Sequence, residues 1–295
     1  YFGLQDKIKI VECNFNEPFA VHNLMNRFKK IDEIYNLAAI SFVHSSFQQP
    51  INTFKTNLDP VLNFLEIIRT QKLDIKFYQA STSEMYGDKN SGKLNENSPM
   101  RPSSPYAVAK LASYNLVKLY REAYSIHATN GILFNHESPL RSDVFVTRKI
   151  TKSLCRYVNG KKRDNSIGNI YSKRDWGFAG DYVKGMYEIN NHNIPDDYVI
   201  ATGKTTTVKN FINLVAKYLK VNIEWIENSP LDTKCIDKKN GKILFKTNKY
   251  FFRPVDVNYL LGDYSKAKNK LKWKPQVDLD EMIGLMCEYD LKESS

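Results

Sequence analysis

The first half of the chain alternates short apolar segments with longer segments whose apolar residues recur every three to four positions. The short segments are typical of β-strands and the longer ones of amphipathic α-helices. Strands separated by helices form βαβ units, in which neighbouring strands run parallel and helices cover the sheet. We predict strands at residues 8–13, 33–39, 76–81 and 128–135, and helices at 17–29, 52–72 and 105–125.

The second half of the chain is less regular. Residues 232–249 are polar and rich in lysine, which predicts a loop. Two apolar runs predict strands at 198–201 and 222–226, and helical periodicity recurs at 145–160, 178–190, 208–220, 265–271 and 279–290. The fold class is therefore α/β, with a doubly wound, mostly parallel, Rossmann-like sheet and a smaller C-terminal lobe whose segments interleave with it.

One element of a complete Rossmann-like domain is not found in this sequence. Such a domain carries a glycine-rich turn after its first strand, where the backbone approaches the pyrophosphate of a dinucleotide. The sequence contains no G-x-G-x-x-G, and Gly3 is its only glycine before Gly87. We therefore expect the N-terminal strand, turn and helix of the domain to be missing.

Four polar residues form the strongest candidate for a catalytic site. Tyr106 and Lys110 are four residues apart on a predicted helix, so both side chains lie on one face, where the ammonium can favour the phenolate of Tyr106 and lower its pKa. Thr82 and Glu84 follow a predicted strand, at the sheet edge where ligands of parallel sheets bind. Taken alone, the spacing also fits a solvated helix face, and Glu84 also fits a residue in a first helical turn.

Composition narrows the possible partners. The 295 residues carry a net charge of +11, which suits an anionic ligand but equally fits a surface of solvated lysines. We find no basic run with interleaved aromatic residues and no apolar run of about 18 residues, so we predict neither nucleic-acid binding nor a membrane span. The four cysteines are far apart, which predicts reduced thiols, no structural metal and a cytoplasmic protein.

Long stretches of the chain resemble the extended short-chain dehydrogenase/reductases and, among these, the GDP-mannose 4,6-dehydratase family. The similar segments are EIYNLAA (33–39), FYQASTSEMYG (77–87), SPYAVAK (104–110), NGILFNHESP (130–139), FVTRKI (145–150), KRDWG (173–177), VIATG (199–203) and FRP (252–254). The sequence departs from the family pattern at Asn14, Ile40, Phe42 and Leu140, in segments where the family contacts its cofactor.

The resemblance implies an internal redox dehydration that makes GDP-4-keto-6-deoxymannose from GDP-mannose with NADP. Tyr106, assisted by Lys110, would take the proton of the sugar 4-hydroxyl while hydride passes to the cofactor, and Thr82 would polarise the 4-oxygen. Glu84 would remove the C5 proton and assist loss of the 6-hydroxyl. Glu84 favours dehydration over simple epimerisation, because an epimerase of this fold needs no base at C5.

The resemblance also implies two sets of binding residues. The cofactor set is Leu37, Ala38, Ala39, Ser41, Tyr106, Lys110, His136 and Arg141. The substrate set is Ser83, Asn135, Lys149, Arg174 and Arg253. The arginines suit a diphosphate because the guanidinium fork binds two oxygens at once, although any of them also fits a surface ion pair.

The resemblance further implies two functional units and a homodimer or homotetramer. We predict a dinucleotide-binding domain at 1–142 and 172–202, and a nucleotide-sugar-binding lobe at 143–171 and 203–295. Two alternatives remain open: a related epimerase or dehydratase that acts on another nucleotide sugar, and a catalytically impaired, truncated homologue that serves as a binding or assembly subunit.

Overall fold

The computed structural model describes residues 4, 6–28, 30–88, 92–161, 165–252, 255 and 257–293. The helices in this part of the chain are α1 (Pro18–Asn26), α2 (Val43–Gln48), α3 (Pro50–Thr70), α4 (Pro105–Tyr124), α5 (Val146–Val158), α6 (Ala179–Asn191), α7 (Val208–Tyr218), α8 (Ser265–Leu271) and α9 (Leu279–Glu293). The strands are β1 (Glu33–Asn36), β2 (Lys76–Thr82), β3 (Ala128–Leu133), β4 (Asn135–Glu137), β5 (Ser166–Ile167), β6 (Lys173–Arg174), β7 (Trp176–Phe178), β8 (Asp197–Ile200), β9 (Thr206–Thr207), β10 (Ile223–Ser229), β11 (Asp232–Asp237) and β12 (Ile243–Thr247).

A four-stranded parallel sheet in the order β1-β2-β3-β8 forms the centre of the first half. Successive side chains of a strand point to opposite faces. Accordingly, Phe77 packs with α1, α3 and α4 on one face, and Tyr78 packs with α6 and α8 on the other. The carboxyl ends of the parallel strands lie along one edge of the sheet, which agrees with the predicted doubly wound α/β fold.

A second sheet, in the order β10-β11-β12-β5, belongs to the smaller lobe. It shares a core with α5, α7 and α9, in which Cys235, Leu244 and Phe245 are buried. The prediction of a loop at 232–249 is wrong, because this segment forms β11 and β12. Residues alternate in burial along β11, as expected of a strand with one buried face, and the exposed lysines concealed this pattern in the sequence.

Three further predictions about strands and helices differ from the structure. The predicted strand at 8–13 is wrong: the chain there is irregular, and Ile10 is 89% exposed. The predicted strand at 128–135 is interrupted at Phe134, so that β3 pairs with β8 and β4 pairs with β7. Helix α2 was not predicted. Within the described ranges, no helix is both long and apolar enough to cross a membrane.

Candidate active site

A cavity of about 510 Å³ opens at the carboxyl ends of β2 and β3 and extends to the smaller lobe. Thirteen of the fifteen residues predicted for the site line it: Leu37, Ala39, Ser41, Thr82, Ser83, Glu84, Tyr106, Lys110, Asn135, His136, Arg141, Lys149 and Arg174. Ala38 does not line the cavity, and its N–H donates to Asn36 Oδ1 at 3.3 Å. Arg253 lies outside the described residues.

The end of β2 holds Thr82 and Glu84 in the cavity wall. Thr82 is the N-terminal cap of a short 3₁₀ helix at Ser83–Tyr86, and its Oγ1 accepts a hydrogen bond from the N–H of Glu84 at 3.3 Å. Both side chains are buried and line the cavity. Glu84 does lie in the first turn of this helix, which is the alternative considered for it, but its side chain is buried in the cavity wall.

Helix α4 brings Tyr106 to the same wall. The helix begins after Ser104, whose Oγ accepts from the N–H of Ala107 at 3.1 Å, and Pro105 suits the first helical position. Burial raises the pKa of Tyr106 to about 12, and the negative charge of Glu84 adds to this, whereas a hydrogen bond with Thr82 and the charge of Arg141 oppose it. The predicted lowering of this pKa by Lys110 is therefore wrong for the protein without ligands, because burial dominates.

Lys110 lies deeper in the same wall and is 2% exposed. Its Nζ donates to the backbone carbonyl of Ala80 at 2.9 Å. Burial lowers the pKa of Lys110 to about 8, because the charged ammonium loses its hydration. The side chain remains largely protonated at neutral pH and supplies a positive charge to the cavity.

His136 is a neutral hydrogen-bonding group. Its Nδ1 lies 2.9 Å from the carbonyl oxygen of Phe134, which can only accept, so Nδ1 carries the proton. The ring stacks on Tyr182 with centroids 5.0 Å apart. Burial lowers the pKa of His136 to about 4. The charge of Arg141 also lowers it, and the hydrogen bond to Phe134 opposes the shift. The remaining nitrogen, Nε2, is therefore an acceptor at neutral pH.

Arg141 is held by two neighbours. Its guanidinium carbon lies 3.5 Å from the centroid of the Phe145 ring, and its Nε lies 3.2 Å from Glu137 Oε2. The orientation of Nε does not give a hydrogen bond, and this buried donor has no hydrogen-bond partner among the described residues. The guanidinium is thus fixed in place with a donor still available to a ligand.

Glu137 is a site residue that the sequence predictions did not include. It is 2% exposed, lines the cavity, and its Oε2 accepts from the hydroxyl of Thr147 at 2.7 Å. Burial raises the pKa of Glu137, although Arg141 and Thr147 oppose the shift. Its position in the sequence, two residues after Asn135 on a strand, is the signal that could have identified it, since alternate residues share a face.

The far end of the cavity is lined by Lys149 and Phe251 of the smaller lobe and by Arg174 of β6. The Nζ of Lys149 lies 4.0 Å from the centroid of the Phe251 ring. Arg174 is buried, and its guanidinium donates to the carbonyl of Lys173 at 3.0 Å. A buried arginine and a nearby lysine form a setting suited to an anionic group such as the diphosphate of a nucleotide.

The sequence matches one protein family over nearly its whole length. Residues 2–286 match the sequence model of the family described as GDP-mannose 4,6 dehydratase. A GDP-mannose 4,6-dehydratase of Sinorhizobium fredii is 44% identical over 261 residues, covering 88% of this chain and 74% of its own length. A GDP-mannose 4,6 dehydratase of Drosophila melanogaster is 42% identical over 288 residues, covering 97% and 72%.

Solved structures share the fold at lower identity. An RMD protein of Pseudomonas aeruginosa, complexed with NADPH, has a TM-score of 0.80 at 19% identity and covers 96% of this chain and 88% of its own. A UDP-glucose 4-epimerase of Thermotoga maritima, with UDP-glucose, has a TM-score of 0.80 at 23% identity, covering 97% and 85%. These structures agree with the Rossmann-like fold described above.

Proposed function

Because the chain belongs to the GDP-mannose 4,6-dehydratase family of hydro-lyases, we propose that its cavity converts GDP-mannose to GDP-4-keto-6-deoxymannose with Thr82, Glu84 and Tyr106 as the reacting side chains. The observation that carries this proposal is the meeting of these three residues and Lys110 in one cavity. They come from different elements, β2 with the turn that follows it and α4.

The proposed cofactor is NADP, and the residues present fit its nicotinamide half. When bound, it supplies an acceptor for hydride from C4 of the sugar and a donor of hydride to C6. Arg141 offers a buried Nε donor that has no hydrogen-bond partner among the described residues, and His136 offers an acceptor at Nε2. Leu37, Ala39 and Ser41 line the same cavity, and the resemblance implies that they lie on the cofactor side.

In the first step, Tyr106 takes the proton of the sugar 4-hydroxyl, and Thr82 donates a hydrogen bond to the same oxygen. The positive charges of Lys110 and Arg141 favour the phenolate that this step requires, because a nearby cation stabilises the charged form. Burial keeps Tyr106 protonated in the free protein. We infer that bound ligands must offset the effect of burial for Tyr106 to act as a base.

In the second step, Glu84 removes the proton at C5, which the 4-ketone has made acidic, and passes it to the departing 6-hydroxyl. A single carboxyl group can serve as base and then as acid, because the proton that it takes is the one that it gives. The charge of Glu84 acts on Tyr106, so the two groups that handle protons lie close together, as two steps on one sugar ring require.

For the substrate, we propose that Arg174, Lys149 and Arg253 bind the diphosphate and that Ser83 and Asn135 bind the sugar side. Support comes from the positions of Ser83, Asn135, Lys149 and Arg174 in the cavity wall. We further propose a dinucleotide-binding domain at 1–142 and 172–202 and a nucleotide-sugar lobe at 143–171 and 203–295. The separate cores of the two sheets support this division, although α8 packs on the central sheet.

The resemblance also supports a homodimer or homotetramer, and the four free cysteines, three of them buried, support a cytoplasmic location.

The experiment that tests the function is incubation of the protein with GDP-mannose and NADP, followed by chromatography and mass spectrometry of the nucleotide sugar. We expect a product that is lighter by one water and carries a 4-keto group, with no net consumption of NADP, because hydride leaves C4 and returns at C6. Recovery of unchanged GDP-mannose would overturn the proposal. UDP-glucose serves as the comparison substrate, and its conversion in place of GDP-mannose would indicate a different sugar specificity.

A further inference from the structure

Glu137 is a second buried carboxyl group in the cavity and has no role in the reaction steps described above. It lies at the end of β4, and burial of a carboxylate is costly unless both of its oxygens are compensated. The two carboxyl oxygens of Glu137 have different surroundings in the protein.

One oxygen is occupied by the protein itself. Oε2 accepts the hydroxyl hydrogen of Thr147 at 2.7 Å, and the Nε of Arg141 lies 3.2 Å from the same atom. These two neighbours, on α5 and in the loop before it, fix the plane of the carboxyl group. Glu137 is therefore oriented before any ligand binds.

The other oxygen, Oε1, has no hydrogen-bond partner within the described part of the chain. Since Glu137 lines the cavity, this acceptor is available to a molecule bound there. The strand geometry agrees, because Asn135 and Glu137 share one face of β4 and both reach the cavity wall.

We propose that Glu137 is a ligand-binding residue whose Oε1 accepts a hydrogen bond from a neutral donor of the bound reactants, either a hydroxyl of the sugar or the carboxamide N–H of the nicotinamide. This inference rests on the proposed function, which supplies both donors. Oε2 meanwhile holds Arg141, so that one carboxyl group links the arginine and the ligand.

The test compares Glu137→Gln with the wild-type protein in calorimetric binding of four ligands: NADP, its 3-acetylpyridine analogue, GDP-mannose and GDP. The analogue lacks the carboxamide N–H, and GDP lacks the sugar. In the variant, the donors of Arg141 and Thr147 hold the amide oxygen at the position of Oε2. The amide NH₂ then takes the position of Oε1 and faces the N–H or O–H donor of the ligand, with which it cannot form a hydrogen bond. We expect either NADP or GDP-mannose to bind about 10- to 100-fold more weakly, because a hydrogen bond to a charged group is lost.

The matching ligand that lacks the donor, GDP for GDP-mannose or the 3-acetylpyridine analogue for NADP, should bind the wild type and the variant with the same affinity. Weakening of GDP-mannose but not GDP identifies the sugar hydroxyl, and weakening of NADP but not its analogue identifies the carboxamide. Equal weakening of an intact ligand and its truncated partner would mean that Glu137 acts only through Arg141, and would overturn the proposal. Unchanged affinities for all four ligands would overturn it as well.

Thr147→Val is the matched control, since it removes a contact to Oε2 and leaves Oε1 in place. We expect its affinities to change by less than about threefold. If Glu137→Gln does not fold, Glu137→Asp gives the same test, because the shorter side chain withdraws the charged oxygen from the ligand. Wild-type protein that binds the ligands without turnover contradicts the proposed function alone, whereas wild-type protein that binds none of them contradicts both.

Discussion

The ammonium group of Lys110 donates to the backbone carbonyl of Ala80 at 2.9 Å, and this bond ties helix α4 to the end of strand β2. Tyr106, one turn earlier on α4, instead meets Thr82 and Glu84. Helical spacing therefore places the side chains of Tyr106 and Lys110 in the same cavity, but in the free protein each contacts other groups. The lysine contributes a fixed, buried positive charge, and this charge has a measurable consequence for stability.

We predict that Lys110→Met stabilises the protein at neutral pH while it impairs turnover. The pKa of Lys110 is lowered from its ordinary value of 10.5 to about 8 in the folded protein, so below about pH 8 the folded state holds a buried charge that the unfolded state hydrates. Removing it should raise the free energy of unfolding by up to about 3 kcal/mol at pH 7. Urea unfolding at neutral pH measures this change.

The sign of the pH dependence gives a stricter check. Between about pH 8 and 10.5 the unfolded chain binds the proton more strongly, so the stability of the wild type rises with pH relative to the variant. The advantage of Lys110→Met should therefore shrink across this window. The exposed Lys55→Met is the control and should show neither effect. An advantage that grows with pH would contradict the assignment.

Glu84→Gln should stop dehydration and preserve ligand binding. Gln cannot take the C5 proton, and loss of a general acid–base group typically costs about 10²- to 10⁴-fold in rate. We expect kcat to fall by this amount and the Kd for GDP-mannose to stay within about threefold. Rapid-quench turnover and calorimetry measure the two quantities. Glu122→Gln, at an exposed position of α4, should retain full activity, and full activity of Glu84→Gln would refute the assignment.

The sequence was sufficient to predict the central sheet and most helices, because their apolar periodicity is local. It failed where a strand depends on a partner. Residues 8–13 have strand-like residues but pair with no strand in the described chain, whereas β11 and β12 form because each has a neighbour and a core beneath it. Pairing and burial are properties of the whole fold, so a short window of sequence cannot reveal them.

The candidate site shows the same division. Spacing and family resemblance indicated Thr82, Glu84, Tyr106 and Lys110, which the structure brings into one cavity. They indicated a lowered pKa for Tyr106, whereas the pKa is raised, because burial sets the direction of the shift. Glu137 was missed for a related reason, since its importance comes from contacts with residues four and ten positions away that only the folded chain creates.

Arg174→Lys should weaken the binding of GDP-mannose and GDP by a similar factor. The guanidinium of Arg174 is buried in the cavity wall, where a planar fork can hold two diphosphate oxygens and an ammonium cannot. We expect a loss of about 1.5–3 kcal/mol, equivalent to roughly 10- to 100-fold in Kd. The neighbouring Lys173 is exposed, so Lys173→Ala is the control. Weakening of GDP-mannose alone would place Arg174 at the sugar instead.

We predict that substitutions of Tyr78 and Gly131, in the centre of the sheet, have coupled effects on the free energy of unfolding. The hydroxyl of Tyr78 is fully buried and has no hydrogen-bond partner among the described residues. Tyr78→Phe should therefore raise the free energy of unfolding by about 1 kcal/mol, because an unpaired polar group leaves the core. Tyr35→Phe is the matched control on the adjacent strand: its hydroxyl is bonded to Glu33, so its removal should lower stability.

A Cβ at Gly131 would lie 2.0 Å from the Tyr78 hydroxyl oxygen and 2.7 Å from the ring carbon that bears it. Gly131→Ala should therefore destabilise the protein by about 1–3 kcal/mol, as overpacking of a core does. In the double variant with Tyr78→Phe the nearest clash disappears and the ring contact remains, so we expect partial rescue beyond the sum of the single effects. Chemical unfolding of the four proteins measures the coupling, and strictly additive changes would show that the two positions do not meet.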